Sequence, residues 1–272
     1  MPPAASDWNA AAYHRVSEPQ FAWGVAVLER LALRGDETVL DAGCGSGRLT
    51  AELLRRLPRG RVVALDRSAA MVRRTRETLG AAARAVVVQG DLLHLPLRAA
   101  VDVVFSNATF HWVLDHDRLF AEVRAALRPG GRLLAQCGGG ANLARAHAVA
   151  ARLMDEPDFG ARFAGWEEPW HFAHEEETWR RLEAAGFADV RVSLVEAPTV
   201  FATRAELREF LATVVLRPHL ARLESDPALH ERFLESVTDT LAAEAPRLTL
   251  DYWRLNIEGR AAATRAATDP TG

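Results

Sequence analysis

The fold is decided by residues 39–48, VLDAGCGSGR, in which glycine occurs at every second position from 43 to 47. An apolar run ends at Asp41 and a helical pattern begins at Arg48, so the glycines lie where a strand turns into a helix. Glycine permits a tight turn and close approach of a ligand to the backbone, and a helix N-terminus offers N–H groups that have no partner within the helix. This arrangement predicts a loop that binds a nucleotide-like cofactor.

Further apolar runs follow the loop, and helical patterns separate them. The runs are continuous rather than alternating, as expected of strands that are buried on both faces. The predicted strands cover residues 38–41, 61–66, 85–89, 101–106 and 132–136, and the predicted helices cover 48–57, 68–79 and 117–127. Strand–helix alternation over about 100 residues predicts a parallel, doubly wound α/β sheet.

Asp66 closes the second predicted strand about 20 residues beyond the loop, the spacing of an acid that accepts hydrogen bonds from ribose hydroxyls. The dinucleotide fingerprint G-x-G-x-x-G would need glycine where this chain has Arg48, and the third glycine, Gly47, comes one residue early. The pattern D-x-G-x-G-x-G resembles motif I of the class I S-adenosylmethionine (SAM)-dependent methyltransferases. An acid also suits the ammonium and sulfonium groups of SAM better than a pyrophosphate. An NAD(P) site and a purely structural loop remain as alternatives.

Three later segments resemble further motifs of this family, in the family's order: residues 88–92 (VQGDL), 105–108 (FSNA) and 127–133 (LRPGGRL). The resemblance implies a Rossmann-like sheet of seven strands in the order 3-2-1-4-5-7-6, with the last strand antiparallel. It also implies that Asp91 and the backbone of Leu92 contact adenine. The implied SAM site consists of Asp41, Gly43, Cys44, Gly45, Gly47, Asp66, Arg67, Met71, Asp91, Leu92, Asn107 and Ala108.

Shorter similarities cover most of the rest of the chain. Residues 7–20, 107–116 (NATFHWVLDH) and 216–220 (LRPHL) resemble segments of the trans-aconitate methyltransferase group. In that group, N-terminal aromatic residues and a Gln help to close over SAM, which implies a lid of Trp8, Tyr13 and Gln20. The sequence departs from the group at His111, where Gln is frequent, and at His219, where Trp is usual. Both departures bear on the identity of the acceptor.

The acceptor is expected to be a small molecule, and its chemistry determines which side chains it needs. A carboxylate has a pKa of about 4 and is ionised at pH 7, so it needs an anchor and no base. Arg217 is a candidate anchor because a guanidinium matches a carboxylate bidentately, although it could equally be a solvated arginine. A phenol, alcohol or amine would profit from a base, a role open to His111, which could instead simply line the pocket. The predicted acceptor-binding residues are His111, Trp112, Trp170, Arg217 and Tyr252.

The resemblance favours a carboxyl O-methyltransferase. A natural-product O-, N- or C-methyltransferase, with His111 as general base, is the second reading. An NAD(P) oxidoreductase and a SAM-binding protein without catalysis lie outside this class. Displacement chemistry requires no signature catalytic residue, so the sequence alone does not exclude the last of these.

Composition excludes several other classes. All 33 basic residues are Arg, which rules out a Schiff-base lysine for pyridoxal phosphate, a Walker A lysine and a kinase lysine. Two cysteines are too few for a cysteine-ligated zinc site, and no metal site is expected. The net charge of −3, without a basic block, gives no support to a nucleic-acid partner. No apolar run reaches the roughly 20 residues of a membrane span, and no signal peptide is recognisable. We therefore expect a cytoplasmic monomer or homodimer with no membrane partner.

The pattern along the chain suggests four regions. Residues 1–32 are predicted to form N-terminal lid helices, and 33–140 the Rossmann-like SAM-binding core. Residues 141–247 are predicted to supply the remaining core elements and an inserted helical cap over the substrate, with helices at 142–154, 178–185, 203–216 and 228–243 and a strand at 189–195. Residues 248–272 are predicted to contain the last strand, over 248–258, and a tail that frays from Arg260 onward.

Overall fold

A seven-stranded sheet forms the centre of the structure, a computed structural model that describes residues 18–262. Its strands are β1 (Thr38–Ala42), β2 (Arg61–Asp66), β3 (Ala85–Gln89), β4 (Val101–Asn107), β5 (Leu127–Gly138), β6 (Phe187–Glu196) and β9 (Trp253–Ala261). They are arranged in the order β3-β2-β1-β4-β5-β9-β6, and a separate pair joins β7 (Thr199–Val200) to β8 (Thr249–Leu250). The strands from β3 to β5 pair in parallel, whereas β9 is antiparallel to both of its neighbours. The predicted fold class is confirmed.

Helices connect the strands and also form a layer beyond the sheet. They are α1 (Glu18–Glu29), α2 (Arg48–Arg56), α3 (Ala69–Leu79), α4 (His116–Ala126), α5 (Ala144–Met154), α6 (Pro157–Gly160), α7 (Glu175–Ala184), α8 (Arg204–Phe210), α9 (Arg217–Ala221) and α10 (Pro227–Ala243). Caps fix several starting points: the Ser68 hydroxyl accepts from the Met71 N–H, and the Asp115 carboxylate accepts from the Arg118 N–H. Within residues 18–262, no helix combines the length and the apolar character required to cross a bilayer.

The inner strands are apolar throughout because helices cover both faces of the sheet. Leu40 and Val104 lie on one face and pack in a core with Phe120 of α4. Val39 and Phe105, their neighbours in sequence, lie on the opposite face with the buried side chains of α1 and α2. Alternate residues of one strand therefore belong to different cores, which explains why the runs read as continuous.

A third core lies beyond the carboxyl ends of the strands. It is built by α5, α6, α8, α9 and α10, which we call the cap helices, and it includes Phe159, Phe210 and Phe233. Leu250 and Tyr252, just before β9, belong to the same cluster and connect the cap helices to the sheet. The predicted role of these helices as a substrate cap stays a prediction.

The second half of the chain departs most clearly from the predicted elements in three places, apart from short unpredicted elements such as α6, α9 and β7. The helix predicted over 203–216 is α-helical only to Phe210 and continues as a π-helix, Leu211–Val215. Pro218 lacks an N–H for the next α-helical bond, which favours a change of helix type nearby. The strand predicted over 248–258 is interrupted between β8 and β9. Finally, Arg260 is not in a frayed tail, because it pairs with Arg132 within the sheet.

Candidate cofactor and acceptor site

The glycine loop lies at the carboxyl ends of neighbouring parallel strands, where open α/β sheets bind ligands. The N–H groups of Gly43 and Cys44 donate to the Leu65 carbonyl at 2.8 and 2.9 Å, which ties the loop to the end of β2. Gly43, Gly45 and Gly47 all have left-handed φ angles, of 83°, 55° and 82°. A Cβ on Gly43 would lie 2.2 Å from Thr109, whereas one on Gly45 would meet no atom within 4 Å. Gly45 therefore faces open space.

Two acids border this open side of the loop. One Asp66 carboxylate oxygen accepts from the Gly45 N–H and the other from the Ser68 N–H, both at 2.9 Å. A carboxylate at this strand end is the group that accepts from ribose hydroxyls in doubly wound sheets. Asp91 follows the neighbouring strand β3, and its half-exposed carboxylate accepts from the Leu93 N–H at 2.9 Å. An open glycine loop flanked by two acids at adjacent strand ends fits an adenosyl group with a cationic amino-acid tail.

Asp41 occupies a different environment from the other two acids. Its side chain is 2% exposed, and the Thr50 hydroxyl donates to it at 2.6 Å. Burial raises the pKa of this carboxyl from 3.8 to about 7. The carboxyl joins the loop to α2 and is closed to solvent, so it supports the loop and has no open face for a ligand. The predicted direct contact between Asp41 and SAM finds no support in this geometry.

Four further residues of the predicted SAM site, Cys44, Arg67, Met71 and Leu92, lie in the glycine loop or near it at the same edge of the sheet. Cys44 is a free, buried thiol that lies 3.6 Å from the Thr75 hydroxyl, and burial raises the pKa of the thiol. Met71 is buried in the first turn of α3, and Leu92 is buried beside Asp91. Arg67 is exposed next to Asp66. None of these positions conflicts with a cofactor along the loop.

Helix α1 packs against the loop and the end of β4. A Cβ on Gly24 would lie 2.4 Å from the end of the Leu49 side chain and 3.0 Å from the Asn107 amide nitrogen, so the helix approaches both side chains closely at this glycine. The Arg48 guanidinium stacks 3.8 Å from the centre of the Phe21 ring. Ala108 follows Asn107 with a left-handed φ of 56° and donates to the Gln136 carbonyl at 2.7 Å.

The predicted N-terminal lid of Trp8, Tyr13 and Gln20 lies mostly outside the described residues. Trp8 and Tyr13 lie outside the described residues. Gln20 belongs to α1, but the position of its side chain is not described. The lid therefore stays a prediction.

Next to Ala108, a narrow cavity of about 50 Å³ lies between the sheet and the cap helices. It is lined by Ala108, His111, Trp112, Asn142, Leu143, His147, Trp170, Phe172, Val214, Val215, Tyr252 and Arg254. Four of the predicted acceptor residues, His111, Trp112, Trp170 and Tyr252, are thus brought together. The fifth, Arg217, begins α9 and is not part of this lining.

His111 is held in one tautomer by the backbone. Its Nδ1 accepts from the Gly138 N–H at 3.3 Å, so the proton of the neutral ring is on Nε2. Burial lowers the pKa of His111 well below 6.5, and the charge of Arg254 and the ring of His116 lower it further. The ring is therefore neutral at pH 7 and presents an N–H donor. This arrangement does not suit the predicted general base.

Arg254 is the charged residue of this cavity that the sequence analysis did not predict; the other unpredicted lining residues are Asn142, Leu143, His147, Phe172, Val214 and Val215. It lies on β9 between Gly138 of β5 and Val195 of β6, and its side chain is only 3% exposed. The guanidinium stacks 4.6 Å from the centre of the Trp23 ring, and its Nε donates to the Gln136 side chain at 3.4 Å. The available signal was the alternation of residues 253–258, WRLNIE, in which polar side chains recur on one face of a central strand.

Comparison with known sequences adds independent information. A family described as methyltransferase domain matches residues 39–131. An uncharacterized methyltransferase of Schizosaccharomyces pombe is 31% identical over 214 residues, 76% of this chain and 79% of that protein. The trans-aconitate 2-methyltransferase of Deinococcus radiodurans is 30% identical over 242 residues, 88% of this chain and 92% of that protein. The protein of the same name from Acidovorax ebreus is 35% identical over 130 residues, and the match spans only about half of each chain, 48% and 49%.

The fold is also found among solved structures. Phosphoethanolamine N-methyltransferase 2 of Haemonchus contortus, solved with phosphomonomethylethanolamine and S-adenosylhomocysteine, aligns with a TM-score of 0.61 at 18% identity. That alignment covers 94% of this chain and 57% of the other. The YcgJ protein of Bacillus subtilis aligns with a TM-score of 0.60 at 15% identity and covers 90% and 99% of the two chains.

Proposed function

Since the chain belongs to the class I SAM-dependent methyltransferases, we propose that it transfers the methyl group to a carboxylate oxygen of a small organic acid. Membership of this family makes SAM the cofactor and removes the NAD(P) oxidoreductase and the non-catalytic protein as alternatives. The proposal for the acceptor is carried by one observation, the buried guanidinium of Arg254 in the acceptor cavity. A carboxylate matches a guanidinium with two parallel hydrogen bonds, so a guanidinium in the cavity lining suits an acid as acceptor.

The residues of the cavity have a limited task in this reaction. When bound, SAM supplies an electrophilic methyl group. Arg254 anchors the acceptor carboxylate, and the Nε2–H of His111 donates to it. The acceptor oxygen forms the new O–CH3 bond while the electron pair of the old S–CH3 bond stays on sulfur, which gives a methyl ester and a thioether. No proton is released, so a neutral His111 that cannot act as base is compatible with this chemistry.

The same proposal assigns the residues that bind SAM, which we call the cofactor half of the site. Asp66 holds the ribose hydroxyls, and Asp91 with the backbone of Leu92 holds adenine. The open face of the glycine loop and the end of β4 hold the methionine portion. The open face of Gly45 and the position of Asp66 beside it, at the end of β2, support this assignment. The expected monomer or homodimer and the expected cytoplasmic location stay predictions.

The second candidate is a natural-product O-, N- or C-methyltransferase. Trp112, Trp170 and Phe172 line the cavity and would fit a planar phenol as well as an acid. Such an acceptor profits from a base, and the hydrogen bond from Gly138 to His111 argues against one at that position. The trans-aconitate 2-methyltransferases among the relatives also support the carboxylate.

The test uses methyl-labelled SAM and a panel of acceptors containing benzoate, indole-3-acetate, trans-aconitate, phenol and tryptamine. Methyl esters release labelled methanol in mild alkali, whereas aryl ethers and methylamines keep their label. We expect transfer to one or more of the acids, with all of the label released by alkali. Alkali-stable label on phenol or tryptamine would contradict the proposal. Reactions without acceptor and without protein provide the background.

A further inference from the structure

The turn that follows β4 supports much of the acceptor cavity. One turn of 3-10 helix, Phe110–Trp112, brings His111 and Trp112 into the lining. The N–H of His171 donates to the His111 carbonyl at 2.8 Å, which joins this turn to residues 170–172, the source of two further lining rings. The positions of four rings in the cavity therefore depend on how the turn is held.

His116, the first residue of α4, holds this turn with its side chain. Its Nε2 lies 3.1 Å from the Phe110 carbonyl oxygen. Burial lowers the pKa of His116 to about 4, so the ring is neutral at pH 7. Because a carbonyl oxygen can only accept, the proton of the neutral ring is on Nε2, which donates to Phe110. The ring centres of His171 and Phe120 lie 4.8 and 5.7 Å from that of His116, so its ring is packed between both neighbours.

Stability alone does not account for a histidine at this position. With the proton on Nε2, the Nδ1 of His116 is a buried acceptor that has no hydrogen-bond partner among residues 18–262. A buried polar atom without a partner costs free energy. The Phe110 carbonyl also accepts from the Val113 N–H at 2.9 Å, so it would keep a partner if His116 were replaced. An apolar side chain of similar size would therefore remove the cost and leave no group unsatisfied.

We propose that His116 is a positioning residue for methyl transfer, because its hydrogen bond to Phe110 sets the turn that directs the Nε2–H of His111 to the acceptor carboxylate. This inference rests on the proposed function, in which His111 donates to the acceptor. His116 is not among the described lining residues of the cavity, so it acts through the turn. A misplacement of about 1 Å can cost roughly 100-fold in rate, whereas folding does not require that precision.

Two substitutions of His116 separate positioning from folding. His116→Leu removes the donor, whereas His116→Gln keeps an amide N–H near the position of Nε2. With the best acid of the panel, we expect His116→Leu to lower kcat/KM at least 10-fold, mainly through kcat, while the midpoint of denaturant unfolding stays the same or rises. His116→Gln should remain within threefold of the unmodified protein in kcat/KM. Both variants should bind S-adenosylhomocysteine with an affinity within threefold of the unmodified protein.

The matched control is His230→Leu, which changes a half-buried histidine of α10. It should leave kcat/KM and the affinity for S-adenosylhomocysteine within threefold of the unmodified protein. A smaller loss of kcat/KM in His116→Leu, an equal loss in His116→Gln, or a lower unfolding midpoint in His116→Leu would each overturn the inference.

A measurement without acceptor keeps the inference and the proposed function distinguishable. Nitrogen NMR of histidine-labelled protein with bound S-adenosylhomocysteine reports which ring nitrogen of His111 carries the proton, and His111→Asn identifies its signals. In His116→Leu we expect the single Nε2–H form of His111 to become a mixture of tautomers, because the turn no longer holds Nδ1 against the Gly138 N–H. An unchanged His111 spectrum would overturn the inference. Transfer to none of the acids in a protein that binds S-adenosylhomocysteine would instead overturn the proposed function.

Discussion

The two halves of the site are built in different ways. The cofactor half consists of strand ends and the loops that directly follow them, between residues 41 and 108, and it is built mainly from glycine backbone and acids. The acceptor half gathers side chains from residues 108–112, 142–147, 170–172, 214–215 and 252–254. It is buried and aromatic, and Arg254 is the cation among its described residues. The cofactor half is therefore formed by strand ends and their adjacent loops, whereas the acceptor half depends on packing between segments that are distant in sequence.

This difference implies that the halves can be disabled one at a time. A change at Arg254 should affect the acceptor and leave cofactor binding intact, because the guanidinium lies on β9, beyond β4 and β5 from the glycine loop. A change at Asp66 should do the reverse. Each of the following predictions tests this separation, and the largest expected effect comes first.

Arg254→Gln should reduce kcat/KM for the best acid by about 100- to 1,000-fold, because the carboxylate loses its buried counter-charge. Titration calorimetry with S-adenosylhomocysteine should give an affinity within threefold of the unmodified protein. Arg254→Lys should lose about 10-fold, since an ammonium cannot bind bidentately. Arg217→Gln is the matched control and should change kcat/KM by less than threefold. A larger effect would indicate that Arg217 binds the acceptor carboxylate.

Asp66→Ala should weaken S-adenosylhomocysteine binding by about 100-fold, which corresponds to about two charge-assisted hydrogen bonds. Its thermal unfolding should remain cooperative, because the two backbone N–H groups that it accepts from lie beside solvent and can bind water instead. Calorimetry measures the affinity and circular dichroism the unfolding. Unchanged affinity would remove Asp66 from the cofactor half.

Gly43→Ala and Gly45→Ala distinguish two roles of the glycine loop. Gly43 packs against Thr109, whereas Gly45 lies on the open face that the cofactor is expected to use. Both positions have positive φ, which costs an L-residue about 1–2 kcal/mol. The new methyl group would collide with Thr109 only at position 43, so Gly43→Ala should lose about 3 kcal/mol of unfolding free energy and Gly45→Ala about 1. Gly45→Ala should nevertheless bind S-adenosylhomocysteine at least 10-fold more weakly. Normal binding would mean that the cofactor does not use this face.

Asp41→Asn tests whether this acid supports the loop as a protonated group. Between pH 3.8 and about 7, the folded protein keeps a proton on Asp41 that the unfolded chain releases, so stability falls as pH rises through this window. The variant lacks that proton, and its amide oxygen can still accept from Thr50. Relative to the variant, the unmodified protein should lose about 1 kcal/mol of unfolding free energy between pH 5 and pH 6. Denaturant titrations at both values measure this; parallel curves would mean that Asp41 is ionised when folded.

The sequence was informative where function and local structure share the same few residues. Gly43, Gly45, Gly47 and Asp66 could be assigned because the loop and the next strand end form one continuous unit. Arg254 could not, since its burial depends on β5 and β6, strands that are distant in sequence. The proton position on His111 depends on Gly138 in the same way. Arg217 was chosen for its chemistry, but the residues of this segment that line the cavity are Val214 and Val215, at the end of the π-helix.

A crystal structure of the protein with bound S-adenosylhomocysteine tests most directly that the two halves meet at the transferred methyl group. We predict that the ribose hydroxyls lie on the Asp66 carboxylate and that the sulfur atom faces the cavity between His111 and Arg254. A ribose bound elsewhere, or a sulfur atom directed away from that cavity, would contradict both the assignment of the cofactor half and the role of Arg254.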